Sequence, residues 1–333
     1  MSHVRLSSAL RLVTLFASIV VSLAATGCGS SDDTNRGNNV DPSTSTGGAA
    51  NGSGGDSSGG GVPSGGSATT GSGGAVTSGP NAPTIPALTE QMCPPLQDGT
   101  ITFMGLAGVQ IAAGAKPAAA TAPLVFYWHG TGSNSGEFAA LAGPVLSGVK
   151  DKGGVLVSFQ GTTAGDLYSG TNIFGEGDLK LVDQLVACAV RDHNIDPRQI
   201  FTMGCSAGGL FAASMAALRS SYVAAAAPNS GGWVKTPTFQ DAHTPALMTV
   251  HGAMGKDVVI VDFAQRSAIA DAAFKMHGSF VIDCDTGGNH CGGAGLAGAA
   301  WEFFQAHPFG VAPEPWATML PASFPPAQCK IIQ

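Results

Sequence analysis

The sequence predicts an α/β fold in which a mostly parallel central sheet carries helices on both faces. Short apolar runs bounded by glycine or proline are continuous rather than alternating, as in strands buried on both faces. Stretches with helical spacing separate them, and such alternation calls for parallel strands joined by crossovers. Composition limits how much of the chain takes part. From Gly27 to Pro83 almost every residue is Gly, Ser, Thr, Asn, Asp or Ala, and such a segment cannot offset its own ordering entropy. The 333 residues therefore divide into a leader at 1–27, a Gly/Ser-rich disordered tether at 28–83 and one domain at 84–333 that is long enough for a sizeable core.

In chain order the expected strands are PLVFYWHG (123–130), GGVLVSFQG (153–161), QIFTMG (199–204), YVAAAAPNS (222–230), PALMTVHG (245–252) and GSFVIDC (278–284). Helical spacing covers 135–150, 177–194, 206–220, 261–277 and 295–306. No internal repeat is visible. Right-handed crossovers put the loops that follow the strands along one edge, and ligands bind at that edge. His129-Gly130-Thr131-Gly132, Ser206, Asp257 and His290 all lie in such loops.

Formal net charge is −7, with 15 Lys plus Arg and no cluster of them, which argues against a nucleic-acid partner. Gly204-Cys205-Ser206-Ala207-Gly208 is a G-x-S-x-G pentapeptide. Bare, it means little in a chain with 48 glycines. Between a strand and a helix it reads as the nucleophile elbow of an α/β-hydrolase, whose glycines let a tight turn push the serine outward. The order Ser206, Asp257, His290 fits a triad in which imidazole takes the hydroxyl proton and the acid orients the imidazole. Asp262, within a helix pattern, and Asp241, before a strand, compete less well with Asp257. His129 and His251 sit at strand ends, where histidine more often serves a turn. His193, His243, His277 and His307 fall near helix ends or in loops, and His290 alone follows the last strand in a Gly-rich loop. The amides of Ala207 and Thr131 are the expected oxyanion donors, each worth about 3 kcal/mol. The chemistry needs neither metal nor organic cofactor.

Cysteine flanks both partners: Cys205 precedes Ser206 and Cys291 follows His290. Serine and base must meet, so their neighbours come within disulfide reach. A Cys205–Cys291 bond would close a loop of about 85 residues and contribute about 4–5 kcal/mol by loop-closure entropy. Cys93, Cys188, Cys284 and Cys329 then allow three pairings. Cys93–Cys188 with Cys284–Cys329 is preferred, because the latter would tether the proline-rich tail APEPWATMLPASFPPAQC, which has little regular structure of its own.

The Cys-Ser, Asp and His-Cys pattern resembles the tannase and fungal feruloyl esterase family. Elsewhere the chain resembles smaller bacterial esterases grouped with feruloyl esterases, acetylxylan esterases and extracellular polyhydroxybutyrate depolymerases. YWHGTGSN, DLKLVDQLVACAVRDHNIDPRQIFTMGCSAGG, TVHG with DVV, and AAWEFFQAHPF carry that likeness, which runs from Leu124 to Phe309. The chain departs from tannases in lacking room for a lid, since about 15 residues join strands 222–230 and 245–252. The resemblance implies a monomeric serine ester hydrolase with an open crevice, suited to short acyl groups or to an ester on a bulky or polymeric chain. Tyr168, Asn172, Phe174 and Trp233, with Glu137, are the expected rim; Trp233 could equally cover the core. A serine peptidase would want a specificity domain or amine-binding carboxylates, and neither is visible. A non-catalytic polymer-binding protein would not need an intact triad.

The leader MSHVRLSSALRLVTLFASIVVSLAATGC has Arg5 and Arg11, an apolar run at 12–23 and small residues up to Cys28, the features of an export signal. It resembles a bacterial lipoprotein signal with lipobox Ala25-Thr26-Gly27-Cys28, which implies a lipid anchor on Cys28, and Gly29 implies sorting to an outer membrane. The tether would then span about 40 Å as a Gly-rich coil. An oxidising compartment suits the paired cysteines.

Overall fold

The computed structural model describes residues 82–90, 92–161 and 174–333. The leader, the tether up to residue 81, including Cys28, and Tyr168 and Asn172 lie outside them. Among the described residues no helix is long and apolar enough to cross a membrane.

Strands β3 (Ala122–Trp128), β4 (Val155–Ser158), β5 (Ile195–Cys205), β6 (Ala225–Asn229), β7 (Ala246–His251) and β8 (Val281–Asp285) correspond to the apolar runs and pair in parallel. β3 is buried at every residue, as its unbroken apolar sequence requires. β1 (Gly99–Phe103), β2 (Leu106–Ala113) and β9 (Cys329–Ile331) complete a nine-stranded sheet of order β1-β2-β4-β3-β5-β6-β7-β8-β9. These additions pair antiparallel, β1 with β2, β2 with β4 and β9 with β8. The β1–β2 turn is Met104-Gly105, both left-handed at φ 49° and 79°, which matches the twist of a two-residue hairpin.

The helix expected at 135–150 is two, α1 (Phe138–Leu141) and α2 (Gly143–Asp151). They break at Ala142, where Pro144 in the first turn of α2 has no N–H to continue a ladder. α3 (Glu176–Asp192), α4 (Ala207–Leu218), α5 (Phe263–His277) and α6 (Ala297–Ala306) follow the helical spacing closely. α4 is buried from Ala207 to Ala217, and its small residues let it lie close to β5 and β6. Core clusters cover both faces of the sheet. One centres on Trp128, Phe159, Phe174 and Phe211, the other on Phe201, Phe303 and Phe304.

Between β6 and β7 the chain crosses without helix or strand. Disulfides close the periphery: Cys93–Cys188 fastens the segment before β1 to α3, and Cys284–Cys329 joins β8 to β9. The latter holds a tail that does form one short strand.

Candidate active site

β5 runs into Cys205, and the chain turns at Ser206 with φ 60° and ψ −122° before α4 begins at Ala207. A serine in that conformation is strained, and such strain persists where the surroundings over-determine the backbone. Here they do. A Cβ on Gly208 would lie 1.9 Å from the carbonyl oxygen of Trp128, and one on Gly204 2.4 Å from the same atom. Glycine at both places lets β5, β3 and the start of α4 close around the turn. Ser206 N–H donates to the Asn229 carbonyl at 3.0 Å, which fixes the elbow to β6.

Asp257 lies in the loop between β7 and α5 and is fully buried. Its Oδ1 accepts from His290 Nδ1 at 2.7 Å, and its Oδ2 accepts from Ser230 Oγ at 2.7 Å and the Gly252 amide at 2.9 Å. Burial pushes this carboxyl up, but the bonds from His290, Gly252 and Ser230 outweigh burial and hold it below its ordinary value. His290 follows β8, and the ring of Phe263, the first residue of α5, packs on it at 4.6 Å between centroids. With Nδ1–H directed to Asp257, Nε2 keeps its lone pair for a proton.

The competing residues have other tasks. Asp262 caps α5, accepting from Gln265 N–H at 3.2 Å, and Asp241 is exposed with its amide on Ser220 Oγ. His129 bonds the Gly130 and Gln160 carbonyls, and His251 bonds Asp283 and the Gly252 carbonyl.

Cys205 and Cys291 form a disulfide with Cα atoms 5.9 Å apart, joining the elbow to the histidine loop. Ligand atoms of Cys205, Cys291 and His290 lie within 4.8 Å of one another, the only such cluster among the described residues. Both sulfurs are committed to the disulfide, so neither offers the thiolate that a metal would need.

Thr131 is exposed in the turn after β3, and a Cβ on its neighbour Gly130 would lie 3.4 Å from Ser206 Cβ. The turn thus borders the serine, and Ala207 opens α4 on its other side. Glu137 is half-buried; it receives the Gly130 amide at 3.0 Å and the Tyr127 hydroxyl at 2.9 Å, and so shapes this turn.

Two rim expectations are corrected. Phe174 is buried, its ring 5.0 Å from Trp128 and 5.4 Å from Phe211. Trp233 is buried against Phe274 at 5.2 Å and Phe239 at 6.1 Å. Both rings gain more from core burial than a loop tip could provide. Four exposed apolar side chains gather instead on the loop that carries Asp257, namely Met254, Val258, Val259 and Ile260, while others are scattered over the surface. Asn229 and Ser230 were also missed, although a hydroxyl directly after a strand that borders the elbow was a usable signal.

No family model and no curated protein matches the chain. Solved structures do. The native structure of pOPH aligns over 73% of this chain and 97% of its own, with 17% identity and a TM-score of 0.57. That of sOPH aligns over 74% and 97%, with 17% identity and a TM-score of 0.57. A carboxylesterase from Bacillus cereus aligns more loosely, over 59% of this chain and 92% of its own, at 18% identity and a TM-score of 0.46. The chain has the α/β-hydrolase fold. Likeness at this identity speaks of architecture, and function has to be argued from the site.

Proposed function

We propose that the chain is a serine carboxylic ester hydrolase acting through an acyl-enzyme. The observation that carries this reading is the buried Asp257 bonded to His290 at 2.7 Å, in a fold that sets Ser206 on a strained strand-to-helix elbow. Ser206 Oγ attacks the ester carbonyl carbon and passes its proton to His290 Nε2. The amides of Ala207 and Thr131 receive the oxyanion. The imidazolium then protonates the leaving alcohol, and water attacks the acyl-enzyme with His290 again as base.

The absence of any helix or strand between β6 and β7 favours an open mouth. Exposed Met254, Val258, Val259 and Ile260 favour apolar bulk on the substrate. Hydroxycinnamoyl or acetyl esters on a polymer, and aliphatic or aromatic polyesters, meet both conditions. In this reading the leader exports the protein, Cys28 carries lipid and residues 28–83 tether the domain to a membrane surface.

Hydrolysis of p-nitrophenyl acetate tests the activity, and Ser206→Ala tests the nucleophile. The variant should keep the fold and lose at least a thousandfold in kcat. An organophosphonate should label Ser206 alone. Retention of more than a few per cent of the wild-type rate would overturn the assignment. Methyl ferulate, acetylated xylan, polyhydroxybutyrate film and an aromatic polyester then rank the substrate classes.

A further inference from the structure

Ser230 follows β6 directly, is wholly buried and adopts a left-handed backbone conformation at φ 43°. Its hydroxyl is used twice. It accepts the Cys291 amide at 2.7 Å and donates to Asp257 Oδ2 at 2.7 Å. Its own N–H donates to the Val250 carbonyl of β7 at 2.7 Å. The preceding residue completes the connection: the Asn229 carbonyl accepts Ser206 N–H at 3.0 Å, and Asn229 Nδ2 donates to the Cys291 carbonyl at 3.4 Å. One dipeptide at the end of β6 therefore touches the nucleophile elbow, the acid and the loop of the base.

We propose that Ser230 is a positioning residue for the triad, setting the orientation of the Asp257 carboxylate and linking it to the disulfide-bonded histidine loop. The proposal rests on the ester-hydrolase reading given above. Rotation of the Asp257 carboxylate about its χ2 would move Oδ1 away from His290. Two donors on Oδ2, Ser230 and Gly252, oppose that rotation. The Ser230 hydroxyl can donate to the acid because its acceptor side is filled by Cys291 N–H, an amide whose place is fixed by the Cys205–Cys291 bond. The staple thus reaches the acid as well as the base.

Ser230 also shares out the charge of Asp257. A carboxylate with one donor fewer concentrates more negative charge on its remaining partners. The other charged groups of this loop are directed elsewhere. Lys256 Nζ lies near the Gly287 carbonyl at 3.5 Å, and Asp262 accepts the Gly255 amide at 2.8 Å. His290 is the one ionisable partner that Asp257 holds.

The test compares Ser230→Gly and Ser230→Ala with wild type on p-nitrophenyl acetate, per folded molecule. Glycine tolerates φ 43°, so it removes the hydroxyl without adding backbone strain. Both variants should lose about ten- to a hundredfold in kcat, the range for one hydrogen bond to a charged group, with KM nearly unchanged. Combining Ser230→Gly with Cys205→Ala and Cys291→Ala should give less than the product of the separate losses, because both act through one connection. Unchanged kcat in folded Ser230→Gly would overturn the proposal, as would a loss carried by KM instead of kcat or fully multiplicative losses. Failure of wild type itself to hydrolyse the ester, or of Ser206→Ala to abolish hydrolysis, would instead refute the underlying reading.

Discussion

His290 Nδ1 donates to Asp257 Oδ1 at 2.7 Å, joining a base that is 26% exposed to a carboxylate that solvent does not reach. An acid so placed can remain ionised because three donors surround it, and its role is to hold one tautomer of the ring.

Asp257→Asn should accordingly lower kcat by about a thousand- to ten-thousandfold while the domain stays folded. An asparagine amide can face His290 with a donor, which selects the wrong tautomer. Asp262→Asn removes a capping carboxylate from α5 and should cost no more than about 1 kcal/mol of stability, with kcat nearly intact. Steady-state rates and thermal melts of the two variants separate the roles. A larger rate loss at Asp262 would reverse the assignment of the acid.

The sheet and the elbow were legible in the sequence because each depends on local chemistry. Unbroken apolar runs such as PLVFYW mark strands buried on both faces, and Gly204 and Gly208 sit where the backbone of β3 leaves no space for a Cβ. The β1–β2 hairpin was only weakly legible. TITF alternates, with Phe103 buried and both threonines exposed, but the small residues Ala107 and Gly108 interrupt the pattern before Val109 and Ile111 resume it. β9 escaped notice because three residues can form a strand only when a neighbour supplies the pairing, here β8 across Cys284–Cys329. Phe174 and Trp233 failed as rim residues for a related reason. An aromatic beside a strand end can cap a crevice or fill a core, and long-range packing decides which.

Residues 1–81 lie outside the described structure, so the proposed anchor is tested chemically. If Cys28 is acylated, the full-length protein expressed with its leader should enter a detergent phase. Cys28→Ser should shift it to the aqueous phase or the medium. A single lipid chain binds membranes only marginally, so strong partitioning would indicate more than one chain. Equal partitioning of the two proteins would mean that no lipid is attached there.

Stability should fall as pH rises, and Asp271 of α5 is one cause. Burial pushes its carboxyl up to about 8, the nearby charge of Asp283 adds to this, and the Thr249 hydroxyl offsets part of it. The folded chain then keeps a proton that the unfolded chain releases near pH 4, so stability contributed by this group declines as pH rises from about 4 to 8. His251 acts in the same direction at higher pH. Burial opposes its charge, but Asp283 and the Gly252 carbonyl overcome that and raise it to about 9. Its contribution is complete below about 6.5 and is lost as pH climbs through about 9. Asp271→Asn cannot ionise. Its melting temperature relative to wild type should therefore rise between pH 4 and 8 and then level off. A difference independent of pH would show that Asp271 titrates normally.

The cysteine beside the nucleophile gives the last prediction. Cys205–Cys291 closes a sequence separation of 86 residues, and removing it should release about 4–5 kcal/mol of loop-closure entropy to the unfolded chain. In a domain of this size the Cys205→Ala, Cys291→Ala double variant should melt on the order of 10 °C lower. Activity should fall further than the folded fraction does, because the Gly-rich loop from Asp285 to Gly295 loses its covalent hold on His290. Cys205 is buried and Cys291 is half-buried, so mild reductant can reach the bond in the native enzyme only through Cys291 and should act faster once the domain unfolds. Peptide mapping without reduction should recover the two cysteines as one cross-linked pair. Free alkylation of both thiols in the denatured, unreduced protein would show that no such bond forms. A melting temperature that drops while activity per folded molecule holds would confine the disulfide to stability, and the position of His290 would then depend on Asp257, Phe263 and the bonds from Ser230 and Asn229 to Cys291.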